Sequence, residues 1–169
     1  RLVEVDIVSP EMADLIAREK PDVVNHHAAQ TSVRHSVDNP MDDCRRNILG
    51  SLNIIEAARQ AEVGKVIYIS SGGAVYGEPE SLPCPESNPI KADSPYGASK
   101  HGPEHYLDIY HRLFGLGYTT LRYGNVYGPR QDPFGEAGVI AIFTAQMLAG
   151  QSCTINGTGE QERDFVFVG

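Results

Sequence analysis

Basic charge, closely spaced cysteines and long apolar runs are all scarce in this chain of 169 residues, and each scarcity removes a class of function. Only 14 lysines and arginines stand against 22 acidic residues, for a net charge of -8. No basic stripe is left to attract nucleic acid or an anionic membrane. Cys44, Cys84 and Cys153 lie far apart, which fits neither a disulfide framework nor a zinc knuckle and makes a reducing, cytoplasmic setting the default. No apolar stretch reaches the roughly 20 residues that a membrane helix needs, and the chain as given carries no charged-then-apolar leader.

What is present alternates strand with helix. Leu2 to Ile7 alternates like a strand, and Ser9-Pro10-Glu11 starts a helix through about Glu19 by the N-cap and first-turn proline rule. Residues 22–25 read as a second strand, 47–58 as an amphipathic helix, and Lys65 to Ile69 as an apolar strand buried on both faces. Glu78 to Asp93, rich in Pro, Ser, Asn and Glu, reads as a surface loop. A helix from Ser94 to about Phe114 follows, with a kink expected just past Lys100 because Gly102-Pro103 removes a backbone bond. Then come a strand at 118–123, a loop at 124–135, a helix at 138–148 and short strands at 153–155 and 165–168. The order predicts an α/β chain, a doubly wound parallel sheet with right-handed crossovers.

The most telling local pattern is Tyr96-Gly-Ala-Ser-Lys100. With Ser94 as N-cap and Pro95 at the first helical position, Tyr96 and Lys100 share one helix face. A free tyrosine has a pKa near ~10 and is a poor base at neutral pH, and an ammonium one turn away favours its phenolate. The preceding strand ends in Ser70-Ser71-Gly72-Gly73, hydroxyls and glycines of the kind found where a parallel sheet opens onto a site at its carboxyl edge. His101, His105 and His111 have no carboxylate or cysteine partner at a ligating spacing, so no metal is expected.

A dinucleotide-binding sheet ordinarily opens with a strand, a glycine-rich turn and a helix whose amino end receives the pyrophosphate. That turn is missing from the chain as given. The expectation is an internal piece of a longer enzyme, incomplete at both ends. A binding module that never had the turn is less favoured, because it would leave a bare sheet edge.

In order along the chain stand Asp6-Ile7, His27-Ala28-Ala29-Gln30, Asn47, Ser70 to Gly77, Ser94 to Lys100, Leu121 to Arg130 and Gly157 to Phe165. Together they resemble the extended short-chain dehydrogenase/reductase family, and within it the NAD-dependent epimerases and dehydratases of nucleotide sugars, with UDP-glucose 4-epimerases nearest. The resemblance implies a Rossmann fold, with residues 1–130 as a partial dinucleotide-binding domain and 131–169 as part of a smaller nucleotide-sugar-binding region. It implies NAD bordered by Asp6 and Ile7 and lined by His27, Ala28, Ala29, Gln30 and Thr31. Asn47 would hold that loop, Ser70, Tyr96 and Lys100 would meet the cofactor, and Tyr123 and Gly124 would flank the nicotinamide. A UDP-hexose would be held by Ser71, Gly72, Tyr96, Asn125, Val139, Ile155 and Arg163. A homodimer is implied as well.

In the implied reaction Tyr96 is the base at the sugar's 4-hydroxyl, Ser71 hydrogen-bonds the same hydroxyl and Lys100 supports the phenolate, while carbon 4 is oxidised and reduced in turn. Ser71 takes the hydroxyl role because the usual position reads Gly72 here. Gly73 and Ala74 stand where the family's dehydratases carry an Asp-Glu pair, so elimination lacks its acid. A dehydratase, decarboxylase or reductase of the same family, or a non-catalytic NAD and nucleotide-sugar binding module, is the alternative.

Overall fold

The computed structural model describes residues 1–134 and 138–169, so Gly135, the end of the expected 124–135 loop, lies outside the described residues. The chain divides into two compact units, Arg1–Arg122 and Tyr123–Gly169.

The first unit holds a three-stranded sheet of order β1-β2-β3, with β1 at Val23–His26, β2 at Lys65–Ser71 and β3 at Gly117–Tyr123. β1 and β2 run parallel, from Val23 opposite Lys65 to His26 opposite Tyr68, so both end at the same edge. Helices α1 (Glu11–Glu19), α4 (Gly50–Gln60) and α6 (Pro95–Phe114) supply the cover expected of an α/β fold. The core is Ile16 of α1, Ile54, Ile55, Ala57 and Ala58 of α4, Val66 and Tyr68 of β2, and Leu107 of α6, with Val63 and Leu116 beside them.

Period-two alternation decides what β2 presents. Val66, Tyr68 and Ser70 point into the core, whereas Ile67, Ile69 and Ser71 are only half-buried, so the expectation of equal burial on both faces holds for one face. The consequence is that two adjacent serines at the strand's end aim at opposite sides.

α6 is specified at both ends. Ser94 accepts from Gly97 N at 3.1 Å, Pro95 occupies the first turn, and Gly115 closes the helix at φ 74° with its N–H on the His111 carbonyl. Pro103 lies inside without ending it.

Three expectations fail. Residues 2–7 form no strand, and Leu2 is 94% exposed. A strand exists only through its ladder, and among the described residues nothing pairs with this segment. Residues 153–155 are likewise irregular. The 124–134 loop contains instead a short strand, β4 (Asn125–Tyr127), whose parallel pairing with β5 (Phe165–Phe167) supplies the bonds that make it one. Two short helices before α4 were not expected, α2 (Val33–Asp38) and α3 (Pro40–Cys44), and a π-helical segment (Arg45–Leu49) joins α3 to α4. α5 (Gly72–Val75) is one turn after β2, and the second unit carries α7 (Val139–Leu148). No helix among the described residues is long and apolar enough to cross a membrane.

Candidate active site

The carboxyl edge of β2 and the amino end of α6 bring Ser71 and Tyr96 together. Ser71 is the N-cap residue of α5, yet its side chain caps nothing there; its hydroxyl instead lies toward the Tyr96 phenol and favours the phenol's ionised form. Gly97 makes the approach possible. A Cβ at that position would overlap the Ala74 carbonyl oxygen of α5, so only glycine lets the first turn of α6 sit this close. Ser36 of α2 accepts from Tyr96 N at 3.1 Å, which fixes the backbone of the same residue from another side.

Lys100 lies one turn on and is 4% exposed. Its ammonium stands over the Tyr68 ring at 4.7 Å, and the Tyr68 hydroxyl donates to the Lys100 carbonyl at 3.0 Å. Burial lowers the ammonium to about 8, against the pull of the Asp43 and Glu104 carboxylates. It therefore remains charged at pH 7 by roughly ten to one. Tyr96 differs from expectation. Burial raises its phenol above the usual value, the Ser71 hydroxyl offsets part of that, and the Asp43 carboxylate adds to the rise. Lys100 is not among the groups that shift the phenol, its ammonium lying over the Tyr68 ring.

The exit of β1 forms a second cluster beside this one. Asn47, 1% exposed in the π-helical segment, grips the Gln30 backbone from both sides: Gln30 N donates to its Oδ1 at 2.8 Å and its Nδ2 donates to Gln30 O at 3.0 Å. The same amide reaches Asp43 at 3.1 Å and Ser99 of α6 at 3.0 Å. Gln30 Nε2 donates to Asp43 at 2.8 Å. A π-turn in this position is the kind of irregularity that re-aims one side chain.

A cleft of about 240 Å³ opens at that exit, lined by Val5, Asp6, Ile7, Ala28, Ala29, Gln30 and Arg46. Asp6 and Ile7 are thus brought to the loop expected to line the cofactor, even though they do not form a strand. His27 and Thr31, the loop's other two expected contacts, are exposed. An apolar wall of Val5, Ile7 and two alanines, with one carboxylate and backbone groups at its rim, suits a planar base and a ribose, so the residues present fit a dinucleotide.

Ser70 is placed differently from its neighbour. It is 3% exposed and its hydroxyl turns inward, to Glu104 at 2.5 Å and the Lys100 carbonyl at 3.4 Å. Gly72 opens α5 directly behind Ser71.

In the second unit, Asn125 donates its backbone N–H at 3.2 Å and its side-chain amide at 3.1 Å to the Asp164 carbonyl, which brings it next to Arg163 in the β4 and β5 pairing. At Gly124 a Cβ would meet only the Asp164 carboxylate, the movable end of an exposed side chain. Tyr123 ends β3 and is partly exposed. Arg163 is exposed and bonds the adjoining Glu162 carbonyl, and Val139 and Ile155 are both exposed, Val139 at the start of α7.

Sequence reasoning missed Asp43, Glu104, Arg122 and Arg46. Asp43 stands four residues before Asn47 and Glu104 four after Lys100, so helical spacing carried a signal for both.

The whole chain, residues 1–169, matches the NAD dependent epimerase/dehydratase family. The chain belongs to that family. A UDP-glucose 4-epimerase of Mycolicibacterium smegmatis is 48% identical over 166 residues, 98% of this chain and 53% of its own length. The crystal structure of the UDP-glucose 4-epimerase of Thermotoga maritima with UDP-glucose superimposes with a TM-score of 0.95 at 47% identity, over 98% of this chain and 54% of that one. The Thermus thermophilus UDP-glucose 4-epimerase, in complex with NAD, gives 0.89 at 47% identity, over 97% and 55%. The chain spans about half the length of the curated relatives it matches. Its fold is accordingly that of the family, an α/β Rossmann-like arrangement on a parallel sheet.

Proposed function

We propose that the full-length protein is an NAD-dependent nucleotide-sugar 4-epimerase of the UDP-glucose and UDP-galactose kind. The observation that carries this reading is the Ser71 and Tyr96 hydroxyl pair one helical turn from a buried, charged Lys100, at the same sheet edge as the cleft. Relatives at about half identity, one with UDP-glucose and another with NAD, support it.

In this reading the first unit holds NAD, with Asp6, Ile7 and Ala28 to Gln30 at the adenosine end and Asn47 keeping the loop in place. When bound, NAD supplies the acceptor for the carbon 4 hydride and returns it to the opposite face of the 4-keto sugar. Tyr96 takes the proton of the 4-hydroxyl in its ionised form, which burial disfavours and the Ser71 hydroxyl favours, and gives it back after the sugar has turned. Ser71 donates a hydrogen bond that favours the phenolate and orients the hydroxyl. Lys100 supplies positive charge and hydrogen-bond donors to a ribose. Asn125, Val139, Ile155 and Arg163 are the proposed contacts of the nucleotide sugar, with the Arg163 guanidinium matched to phosphate oxygens. Gly73 and Ala74 on α5 offer no carboxyl acid, which disfavours a dehydratase.

A homodimer through α6 belongs to the same proposal, supported by exposed Tyr106, Ile109 and Leu113 at helical spacing. A cytoplasmic setting is supported by three free cysteines. Incubating the full-length protein with UDP-galactose and following UDP-glucose tests the activity. No interconversion with NAD demonstrably bound would leave a non-catalytic binding protein, and net release of NADH would leave an enzyme that oxidises the sugar without returning the hydride.

A further inference from the structure

Glu104 stands one turn past Lys100 on α6 and carries a buried carboxylate that the proposed chemistry does not use. Its oxygens gather Ser70 Oγ at 2.5 Å, Arg122 Nε at 3.1 and 3.2 Å, Arg122 Nη2, and the His101 ring at 3.2 Å. Arg122 in turn donates to the Tyr76 hydroxyl, just after α5, and lies over its ring at 5.1 Å. Tyr68 meanwhile donates to the Lys100 carbonyl at 3.0 Å, and Ser70 Oγ, whose proton goes to Glu104, lies 3.4 Å from the same oxygen. One ion pair thus ties together the end of β2 beside Ser71, the end of α5, β3, and the turn of α6 that bears Lys100. A buried ion pair adds little net stability over an apolar pair of the same shape, so its value here lies in what it fixes.

Resting on the 4-epimerase reading, we propose that Glu104 is a positioning residue. Anchored by Arg122, it locks the Ser70 end of β2 to the Lys100 turn of α6, and its charge joins that of Asp43 in balancing the Lys100 ammonium. Ser71, the next residue, is then held on the opposite strand face, toward Tyr96. The groups that bear on the ammonium are Asp43 from α3, Tyr68 from β2, His26 from β1 and Glu104 from its own helix, with Arg122 of β3 paired to Glu104. Burial holds His26 to about 4, so it carries no charge near neutrality. Asp43 and Glu104 are the two carboxylates that draw Lys100 upward. Replacing Glu104 by a neutral amide removes one of them and leaves the Arg122 charge unbalanced, and both changes move Lys100 to a lower pKa.

The test uses two variants of the full-length protein, Ser70→Ala and Glu104→Gln, with kcat and KM for UDP-galactose, and the Lys100 titration read from lysine ¹³Cε resonances of the NAD-loaded protein. Ser70→Ala keeps the ion pair, so kcat should fall roughly tenfold with KM little changed and the Lys100 titration unmoved. Glu104→Gln should lower kcat as well and shift the Lys100 titration down by roughly one pH unit. Unchanged kcat in Ser70→Ala overturns the positioning role even if Glu104→Gln fails to fold, and an unmoved Lys100 titration in folded Glu104→Gln overturns the charge role. A wild-type protein that does not interconvert the sugars, with the Lys100 shift as expected, sinks the epimerase reading and leaves the link from Glu104 to Lys100 standing.

Discussion

The Ser71 hydroxyl stands toward the Tyr96 phenol across the gap between the end of β2 and the first turn of α6, where it favours the ionised phenol. Ser71 therefore is not a strand-end serine capping its own helix, although it holds the N-cap position of α5. The contact couples the two groups: what is done to the serine is read out in the acidity of the tyrosine.

Tyr96→Phe removes the proton acceptor and leaves the ring. Turnover of the full-length protein should fall by about a hundredfold or more, with UDP-sugar and NAD affinity retained. Steady-state kinetics beside equilibrium binding check this, and unchanged turnover takes the tyrosine out of its role.

Ser71→Ala should lower kcat by roughly ten- to a hundredfold, the value of a hydrogen bond to a developing charge. The sign of the pH effect follows from the contact. The Ser71 hydroxyl lowers the Tyr96 pKa against burial, so its loss raises that pKa and the acid limb of kcat moves to higher pH. An acid limb that stays in place, or an equal loss from altering Gly72 instead, assigns the hydroxyl role elsewhere.

Gly97→Ala tests the close approach without touching a reacting group. The added methyl meets the Ala74 carbonyl oxygen, a backbone atom that cannot swing aside, so α5 and α6 must separate. A loss of about 1–3 kcal/mol in stability is expected, with a drop in kcat beyond what reduced folding explains. Thermal melting and active-site-normalised kinetics separate the two effects.

His26 supplies a pH dependence of stability. Its ring is bonded to Ser51 at 2.9 Å, and burial, with the Lys100 and His27 charges, lowers it from 6.5 to about 4. Because the folded value lies below the unfolded one, the neutral ring's contribution is complete above about 6.5 and is lost as pH falls toward 4, a difference of about 3 kcal/mol. Melting temperatures of the wild type should fall over that window and those of His26→Asn should fall less. Identical acid profiles would exclude His26 as the source.

The helix bearing Tyr96 and Lys100 was legible because its signals are local: Ser94, Pro95 and Gly115 each act within a turn. So was the end of β2, where an apolar run meets hydroxyls and glycines. Leu2 to Ile7 shows the limit of alternation as a signal, since the pattern names a face to bury but cannot supply the neighbour whose hydrogen bonds make a strand. β4 failed in the other direction: it has three residues between glycines, and becomes a strand through residues 165–167 far along the chain. Asn39, Pro40 and a run of polar residues masked α2 and α3, which are held by Ser32 at the N-cap and by a turn at Pro40. The Glu104, Arg122 and Tyr76 cluster joins residues 18 and 46 positions apart, and no spacing rule reaches that far.

Reversible oxidation at carbon 4 is tested most directly by an isotope. Full-length protein with bound NAD, given UDP-galactose deuterated at carbon 4, should yield UDP-glucose that keeps the deuterium at carbon 4 with inverted configuration, because one bound cofactor takes and returns the same hydride. Mass spectrometry and NMR of the product read this out. Product with the label exchanged for solvent hydrogen, or no UDP-glucose from NAD-loaded protein, would contradict it.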